Sequence, residues 1–537
     1  MSDRRPLSVL SLSELLFRCW LPFVTAAILC LLAAPARAVV TKLEIVALTG
    51  DLAPDGRGPL GGYDIAIGAA FNNPVLNDVG QVAFRARYGG GWGIFRADDA
   101  ALVQLARSAQ VAPAGAGHLD GLRDLVVLNN AGQAAFHAGV INSPLGTNEG
   151  IFRGDGATLN QLVRTGDAAP DGNGKFFKLS EIPTLNGAGQ AAFKADLTET
   201  MSGGADRAGI FRADGNSLIQ IARGGQVAPD GDELFLSLSQ ISLNEIGQVA
   251  FRAEFGEVDG SDYRHGIFLG DDTTLIQVVR GGQTAPDGKG KFLSLAPPVL
   301  NDSGQVAFLA SLSCDCDRVN ESGIFRWDST AIRELAHAGD SVPGGDGRFY
   351  QFEYPTMNDS GQVAFFSQLE NTSGGIDDNW GLYRSDGTTL VQAVRKGQQV
   401  PDGNGRFLAF QPTPPALNSK GQTAFLATLA ATAGGESDDQ GLYFVDDNLE
   451  IQQVARSGEA FLGSIITELG FVSGAFQGDE GSGFANEGLP RIAYRFLLED
   501  GREGIAVWSL VPEPGTFALV GMAIFGVAGL RVRKRVV

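Results

Sequence analysis

Cysteine is nearly absent. The 537-residue chain has four, and Cys19 and Cys30 fall within the first 38 residues, so the body of the chain keeps only Cys314 and Cys316. That excludes a disulfide-stapled scaffold. Histidine is as scarce: His118, His137, His265 and His337 stand far apart, which leaves Cys314-Asp315-Cys316 without the further ligands a zinc site needs. No helical period of apolar residues occurs between residues 40 and 510, which argues against helical architecture. Positive charge is also short, with 41 Lys and Arg against 61 Asp and Glu and a net charge of −20. The first 38 residues carry +2 and the tail cations +4, so the remainder stands at about −26. Such a surface repels nucleic acid and anionic lipid and suits calcium, cationic partners or simple solubility. No Ser-His-Asp order, phosphate loop or nucleotide fingerprint is present, and no catalytic residue is assigned.

What the chain does contain is an octapeptide, Asn-x-x-Gly-Gln-x-Ala-Phe. It begins at Asn77, Asn129, Asn186, Asn244, Asn301, Asn358 and Asn418, with spacings of 52, 57, 58, 57, 57 and 60 residues. A fixed period of that size signals one supersecondary unit used repeatedly. In the unit from Asp287 to Arg326, a turn precedes a short apolar stretch that Pro297 and Pro298 interrupt, so this first strand is brief. Asn301-Asp302-Ser303-Gly304 is a tight turn by composition, and Gln305–Ala310 a second strand leaving it. A loop of variable length follows, then a third strand opening Gly323-Ile324-Phe325-Arg326. The fourth strand, read in the preceding unit as Thr274–Arg280, follows hairpin chemistry that appears elsewhere as Asp155-Gly156, Asp214-Gly215 and Asp386-Gly387.

The third strand occurs eight times, at Gly93, Gly150, Gly209, Gly266, Gly323, Gly381, Gly441 and Gly504. The fourth also occurs eight times, but its first copy is Lys42–Ala47, ahead of any partner. The chain ends with first, second and third strands and no fourth; Arg491–Phe496 is a degenerate second strand. A closed ring joins these ends. The expected fold is all-β, an eight-bladed β-propeller of four-stranded antiparallel blades, closed by the N-terminal strand joining the C-terminal blade. An open β-solenoid leaves the phase offset of the two ends unexplained. Over residues 42–508 the pattern resembles the bacterial tandem-repeat family named for NxxGxxAF, which implies an exported, surface-associated protein and no activity.

The ends divide the chain into a signal peptide at 1–38, a propeller domain at 39–510 and a sorting segment at 511–537. Arg4 and Arg5, the apolar run Trp20–Ala34 and the small-x-small pair Ala36 and Ala38 fit a secretory signal and its cleavage site. At the other end, Pro512-Glu513-Pro514 precedes an apolar run from Thr516 to Leu530 and the basic cluster Arg531–Arg535. The run is shorter than the ~20 residues of a full membrane helix, and the basic residues place its end in the cytoplasm. These three parts resemble the PEP-CTERM sorting signal. The resemblance implies a transient C-terminal transmembrane helix in the inner membrane, recognition by an exosortase-type processing enzyme, and removal near Pro512–Pro514. A plain membrane anchor is the alternative.

Candidate sites are few. Asp171-Gly172-Asn173-Gly174 and Asp402-Gly403-Asn404-Gly405 place oxygen ligands at alternate positions, as a calcium loop begins, but no Glu follows at the twelfth position. Calcium at Asp171, Asn173, Asp402 and Asn404 is one reading and turn chemistry the other. The loops between second and third strands are acidic: Glu254, Glu257, Asp259 and Asp262; Asp315 and Asp317; Asp377 and Asp378; Glu436, Asp438 and Asp439. In a propeller they share one face. Cys314 and Cys316 read as an oxidised pair without function. Arg164, Arg223, Arg280, Arg395 and Arg456 end the fourth strand at one register and read as structural, pairing with an Asp of the adjacent turn. The expected function is a non-enzymatic binding or structural module; the PEP-CTERM resemblance, and not the residues, implies the cell-surface or biofilm-matrix setting, with exopolysaccharide or another surface protein as partner. The alternative is a secreted glycan-active enzyme using carboxylates of the acidic face.

Overall fold

The computed structural model describes residues 39–512, apart from 62–68, 99–100, 114–116, 144–145, 181, 230, 232, 257–263, 287, 289, 314–320, 412–413, 474–483 and 486–487. Its strands form eight antiparallel sheets, the blades of a β-propeller. Residues Leu43–Trp508 are one compact unit. We number the blades by their second strands: Val82–Tyr88 in blade 1, then Ala134–Ser143, Ala191–Thr198, Val249–Gly256, Val306–Ser313, Val363–Glu370, Thr423–Ala430 and, in blade 8, Arg491–Leu498. Two 3-10 segments, Gly375–Asp377 and Gly435–Ser437, lie among the described residues.

The ring closes as the phase offset requires. The N-terminal strand Val39–Leu48 lies against Glu503–Pro512 and completes the sheet of blade 8. Thr49 N–H donates to the Glu503 carbonyl at 2.8 Å. Glu503 is buried, and its carboxylate accepts Ala70 N–H at 2.6 Å and Phe71 N–H at 3.0 Å, tying blade 8 to the start of blade 1.

The first strand of most blades is split, as Lys175–Leu179 and Thr184–Leu185 in blade 3. Proline supplies the break where it falls in this stretch, at Pro183, Pro297, Pro298 and Pro355, because it cannot donate to the ladder. Blade 4 has no proline there and keeps one strand, Leu234–Leu243. The register also slips once near the start, between Phe176 and Lys178, Phe292 and Ser294, Phe349 and Gln351, and Phe407 and Ala409. The bulged residues Phe177, Leu293, Tyr350 and Leu408 are thereby turned out of the core and are 36–68% exposed.

The octapeptide Phe is core, as its apolar register predicts. Phe193 stacks on Phe211 with ring centroids 5.9 Å apart, and Phe176 meets Phe211 edge-on at 4.9 Å. The same three-ring set recurs in blades 4 to 7. It also explains the glycine that opens each third strand: a Cβ on Gly209 would stand 2.5 Å from the Phe211 ring.

The octapeptide Asn does more than turn the chain. Each Asn Oδ1 accepts the Gln N–H four residues on, as Gln190 N–H to Asn186 at 2.9 Å. Each Nδ2 donates to that Gln's Oε1, and in the first six octapeptides also to the Asn carbonyl of the next blade. The cross-blade bonds run Asn77 to Asn129, Asn129 to Asn186, Asn186 to Asn244, Asn244 to Asn301, Asn301 to Asn358 and Asn358 to Asn418, at 2.7–3.2 Å. Neighbouring blades come this close only near the ring axis, so the first strands are innermost. A second set of donors follows from the third strands: Arg96, Arg153, Arg212, Arg326 and Arg384 each give an Nη1 bond to the octapeptide Gly carbonyl of the next blade. The Gly is required twice over. At Gly189 φ is +77°, and a Cβ would lie 2.5 Å from Arg153 Nη1.

Outside the Asn ring a second ladder links the turns. Glu245 N–H donates to Asp302 Oδ1 at 2.8 Å, and Asp302 N–H to Asp359 Oδ1 at 3.0 Å. Burial pushes Asp302 up to about 6, and the charges of Asp359 and Glu245 add to the rise.

Two predictions follow from the ring. Asn186→Ala leaves a buried carbonyl and two Gln190 groups unpaired and should cost about 2–4 kcal/mol by denaturant unfolding, whereas Met201→Ala on the surface should cost almost nothing. Asp302 has a folded value above its ordinary 3.8, so its favourable contribution is present below about pH 4 and lost as pH rises through about 6. Asp302→Asn keeps the acceptor, as Asn130 does for Asp78 N–H at 2.9 Å. It should raise stability at pH 7 by about 1 kcal/mol, the half-exposed carboxyl being partly screened, and the gain should vanish near pH 4.

Candidate binding clefts between the blades

Alternating strand direction puts the second-to-third-strand loops and the loops entering each blade on one face, and the octapeptide turns and Asp-Gly hairpins on the other. On the first face Arg223 and Arg456 meet the oxygens that the sequence offers to calcium, whereas Arg164 donates to Asn148 Oδ1 at 2.7 Å, and Arg280 pairs with Glu233 rather than with an Asp. Arg223 is buried; its Nη1 donates to Asp171 Oδ2 at 2.9 Å, its Nη2 to the Asn173 carbonyl, and its Nε to the Asp206 carbonyl at 2.8 Å. Asn173 Oδ1 accepts Met201 N–H at 2.8 Å, and its Nδ2 donates to Asp206 at 2.8 Å. Blade 7 repeats this set: Arg456 bonds Asp402 at 2.8 Å, the Asn404 carbonyl at 2.7 Å and the Asp438 carbonyl at 2.8 Å. Asn404 Oδ1 accepts Ala433 N–H at 2.8 Å. In blade 6, Arg395 joins Asp346 and Asp378 in the same way. A guanidinium therefore supplies the positive charge at these loops. Burial tends to raise Asp206, yet hydrogen bonds from Ser202, Thr200 and Asn173 outweigh it and hold the carboxyl far below its usual range. Asp438 is lowered in the same manner, its burial outweighed by Thr432, Asn404 and Gly434 N–H.

Asp377 and Glu436 lie in the two 3-10 turns of this face, and Asp439 follows the second of them. Glu254 lies 3.8 Å from His265 and 3.6 Å from Arg252. Cys314, Cys316, Asp315, Asp317, Glu257, Asp259 and Asp262, together with Ala36, Ala38, Glu513 and Pro514, lie outside the described residues. Pro512 ends the strand Glu503–Pro512. Among the described residues no three His, Cys, Asp or Glu side chains converge as metal ligands, and no helix is long and apolar enough to cross a membrane.

The concave sites lie between blades, in a place the loop composition does not point to. Each cleft is walled by corresponding positions: the residue after the octapeptide Phe, the residue before the third-strand Gly, the residue after the fourth strand, and the middle of the first strands. The first position reads Arg85, His137, Lys194, Arg252, Leu309, Phe366 and Leu426; the second reads Trp92, Glu149, Ala208, His265, Ser322, Trp380, Gln440 and Glu503. Flanking positions repeat while these change. Lining up the octapeptides of this one chain would have exposed them.

One cleft, of about 870 Å³, spans blades 1 to 3. Arg85, Asp120, Arg123, Asp124, Asn148 and Lys178 line it beside His137 and Glu149. His137 is buried, and its Nε2 lies 3.4 Å from Glu149 Oε2. Glu149 Oε1 also accepts Leu179 N–H at 2.8 Å, which fastens blade 2 to blade 3. Arg85 pairs with Asp124 and packs 3.5 Å from the Trp92 ring centroid. Burial lowers its guanidinium to about 10, and repulsion from Arg87 and Arg123 adds to the drop. A second cleft of about 450 Å³, lined by Arg252, Ser294, Glu321, Gln351 and Tyr354, lies around blade 5.

The fold and its ends define an eight-bladed all-β propeller carrying an export signal at its C-terminus. A PEP-CTERM protein-sorting motif matches residues 510–534; it supports an exported surface protein and implies processing by an exosortase-type enzyme. The chain belongs to DUF7453, a family of unknown function, which matches residues 37–388 and again 259–518. The NxxGxxAF repeat family is not shown by a match of its own. No curated protein matches the sequence. Among solved structures, the chain is similar to the β-propeller domain of the Trilobed protease from Pyrococcus furiosus at 11% identity and a TM-score of 0.37, covering 74% of this chain and 94% of that one. It is similar to the Dos1 propeller at 10% identity and a TM-score of 0.35, covering 87% and 95%. A third similarity is to an α-L-arabinofuranosidase from Fusarium graminearum, at 11% identity and a TM-score of 0.29, covering 65% and 98%.

Removing the guanidinium tests its role at the loops. Arg456→Met should lower stability by about 2–3 kcal/mol in denaturant unfolding. Millimolar calcium should leave the unfolding midpoint of the unaltered protein unchanged, because the oxygens it would take are already bonded.

Proposed function

We propose that this protein is a non-enzymatic binding module of the bacterial surface or biofilm matrix, whose inter-blade clefts engage an extended partner. An exopolysaccharide is the leading partner and another surface protein the second. Residues 1–38 serve as the signal, cleaved after Ala38. The C-terminal segment holds the chain at the inner membrane until an exosortase-type enzyme removes it. No cofactor is part of this reading.

One observation carries it: corresponding positions wall clefts at three places around the ring, and their chemistry changes from cleft to cleft. That arrangement suits a partner touched at several points. The glycan-active alternative places its carboxylates on the acidic face. Glycosidic cleavage needs one carboxyl kept protonated near neutral pH and a second about 5–9 Å away. Asp206 and Asp438 are held ionised instead. Glu353 is raised by burial, but no second carboxylate lines its cleft.

The reading is tested by a polysaccharide panel with the full-length protein, scoring retention and product release together. Retention without new reducing ends or unsaturated products is expected. Arg123→Ala with Lys178→Ala, in the cleft spanning blades 1 to 3, should weaken retention about tenfold. Turnover of any polysaccharide would replace this reading with the enzymatic one.

A further inference from the structure

The cleft between blades 6 and 7 departs from its sisters in a way that specifies a ligand. It has a volume of about 320 Å³, at the small end of the range of about 300–1,000 Å³ typical of small-ligand pockets. Its walls are Glu353, Phe366, Trp380 and Lys396 from blade 6 and Leu408, Phe410 and Gln411 from blade 7. At matching positions the blade 2–3 cleft has Arg123, His137, Glu149 and Thr165. Aromatic rings thus stand where the other cleft has an imidazole and a carboxylate.

Phe366 and Phe410 stack at 5.0 Å with an interplanar angle of 18° across the blade junction; Phe366 is only 2% exposed and backs Phe410, so the aromatic wall open to the cleft is made by the partly exposed rings of Phe410 and Trp380. Leu408, turned out by its bulge, is 43% exposed beside it, and Trp380 is partly exposed. Glu353 sits at this wall. Its backbone N–H bonds the Phe366 carbonyl at 3.0 Å. Among the described residues no hydrogen-bond donor or cation pairs with its carboxylate. Burial alone raises that carboxyl above its ordinary value. The other charged group, Lys396, turns its ammonium to the Ile376 carbonyl and, at 3.5 Å, to Asn379 Oδ1. The cleft therefore combines aromatic faces with a partly desolvated carboxylate that lacks a counter-charge. Both attract an organic cation and disfavour an anion. The acidic chain as a whole concentrates cations around it.

We propose that this cleft binds an amino-sugar residue bearing a free ammonium group, its ring lying on the aromatic wall and its ammonium paired with Glu353. Accessible aromatic surface on Phe410 and Trp380 favours the apolar face of a pyranose over a slender alkylammonium chain, which needs rings on several sides. The proposal rests on the glycan-binding reading given above and specifies one of its subsites.

The test uses the full-length protein, with isothermal titration and tryptophan fluorescence, against glucosamine oligomers and N-acetylglucosamine oligomers of equal length. The free-amine oligomer should bind at least about tenfold more tightly. Glu353→Gln, which keeps the side-chain shape, should remove that preference at an unchanged unfolding midpoint. Trp380→Ala should weaken binding of the free-amine oligomer, and Arg123→Ala in the blade 2–3 cleft should not alter the preference. Equal binding of the two oligomers, an unchanged preference in Glu353→Gln, or equally tight competition by a lysine-rich peptide would each overturn the proposal. If acetylated or neutral glycans bind while the amine preference is missing, the subsite fails and the general binding function stands. If no glycan binds at all, both fail.

Discussion

Everything in this structure depends on a hydrogen bond between side chain and backbone, made at six successive blade junctions near the axis of the ring. The octapeptide Asn uses one amide to close its own turn and to reach the carbonyl of the next Asn. These groups are buried, so an unmade bond costs the full desolvation of an amide or carbonyl. Shorter or acceptor-only side chains cannot replace it: Ser lacks the reach, and ionised Asp lacks the donor. The arginines of the third strands brace the same turns from outside. A repeat built this way has little freedom to open at its centre, and that rigidity lets neighbouring blades hold clefts of fixed width.

Much of the fold could be read in the sequence because its constraints are local and repeated. Pro297 and Pro298 announce the break in a first strand, Asp-Gly pairs announce the hairpins, and the unpartnered strand near Lys42 announces how the ring closes. The octapeptide Phe and the third-strand Gly also explain each other, one needing the space the other leaves. The Asn is different. Its turn role is visible in one repeat, but the bond to the next blade joins residues 52–60 positions apart, and nothing local marks it.

The site was harder to read for a related reason. Acidic loops draw attention by composition, yet Asp206 and Asp438 serve to hold arginines and loop backbone. The cleft walls are single residues such as His137, Glu149, Phe366 and Trp380, each set in a strand whose neighbours repeat. A strand pattern marks them only as neither core nor turn. Blade pairing decides which of them face one another, and the ring geometry supplies that. The fourth-strand arginines fall between these cases: their register shows a structural role, and the structure adds that one guanidinium joins both loops of its blade.

The central claim is that partners bind in the clefts between blades and not on the acidic loops. Hydrogen–deuterium exchange of the full-length protein with and without a bound glucosamine oligomer tests it most directly. The account predicts added protection in the segments around Glu353 and Leu408–Gln411, with residues 371–377 and 431–437 unchanged. Protection concentrated in those acidic loops, with the cleft segments unaltered, would contradict it.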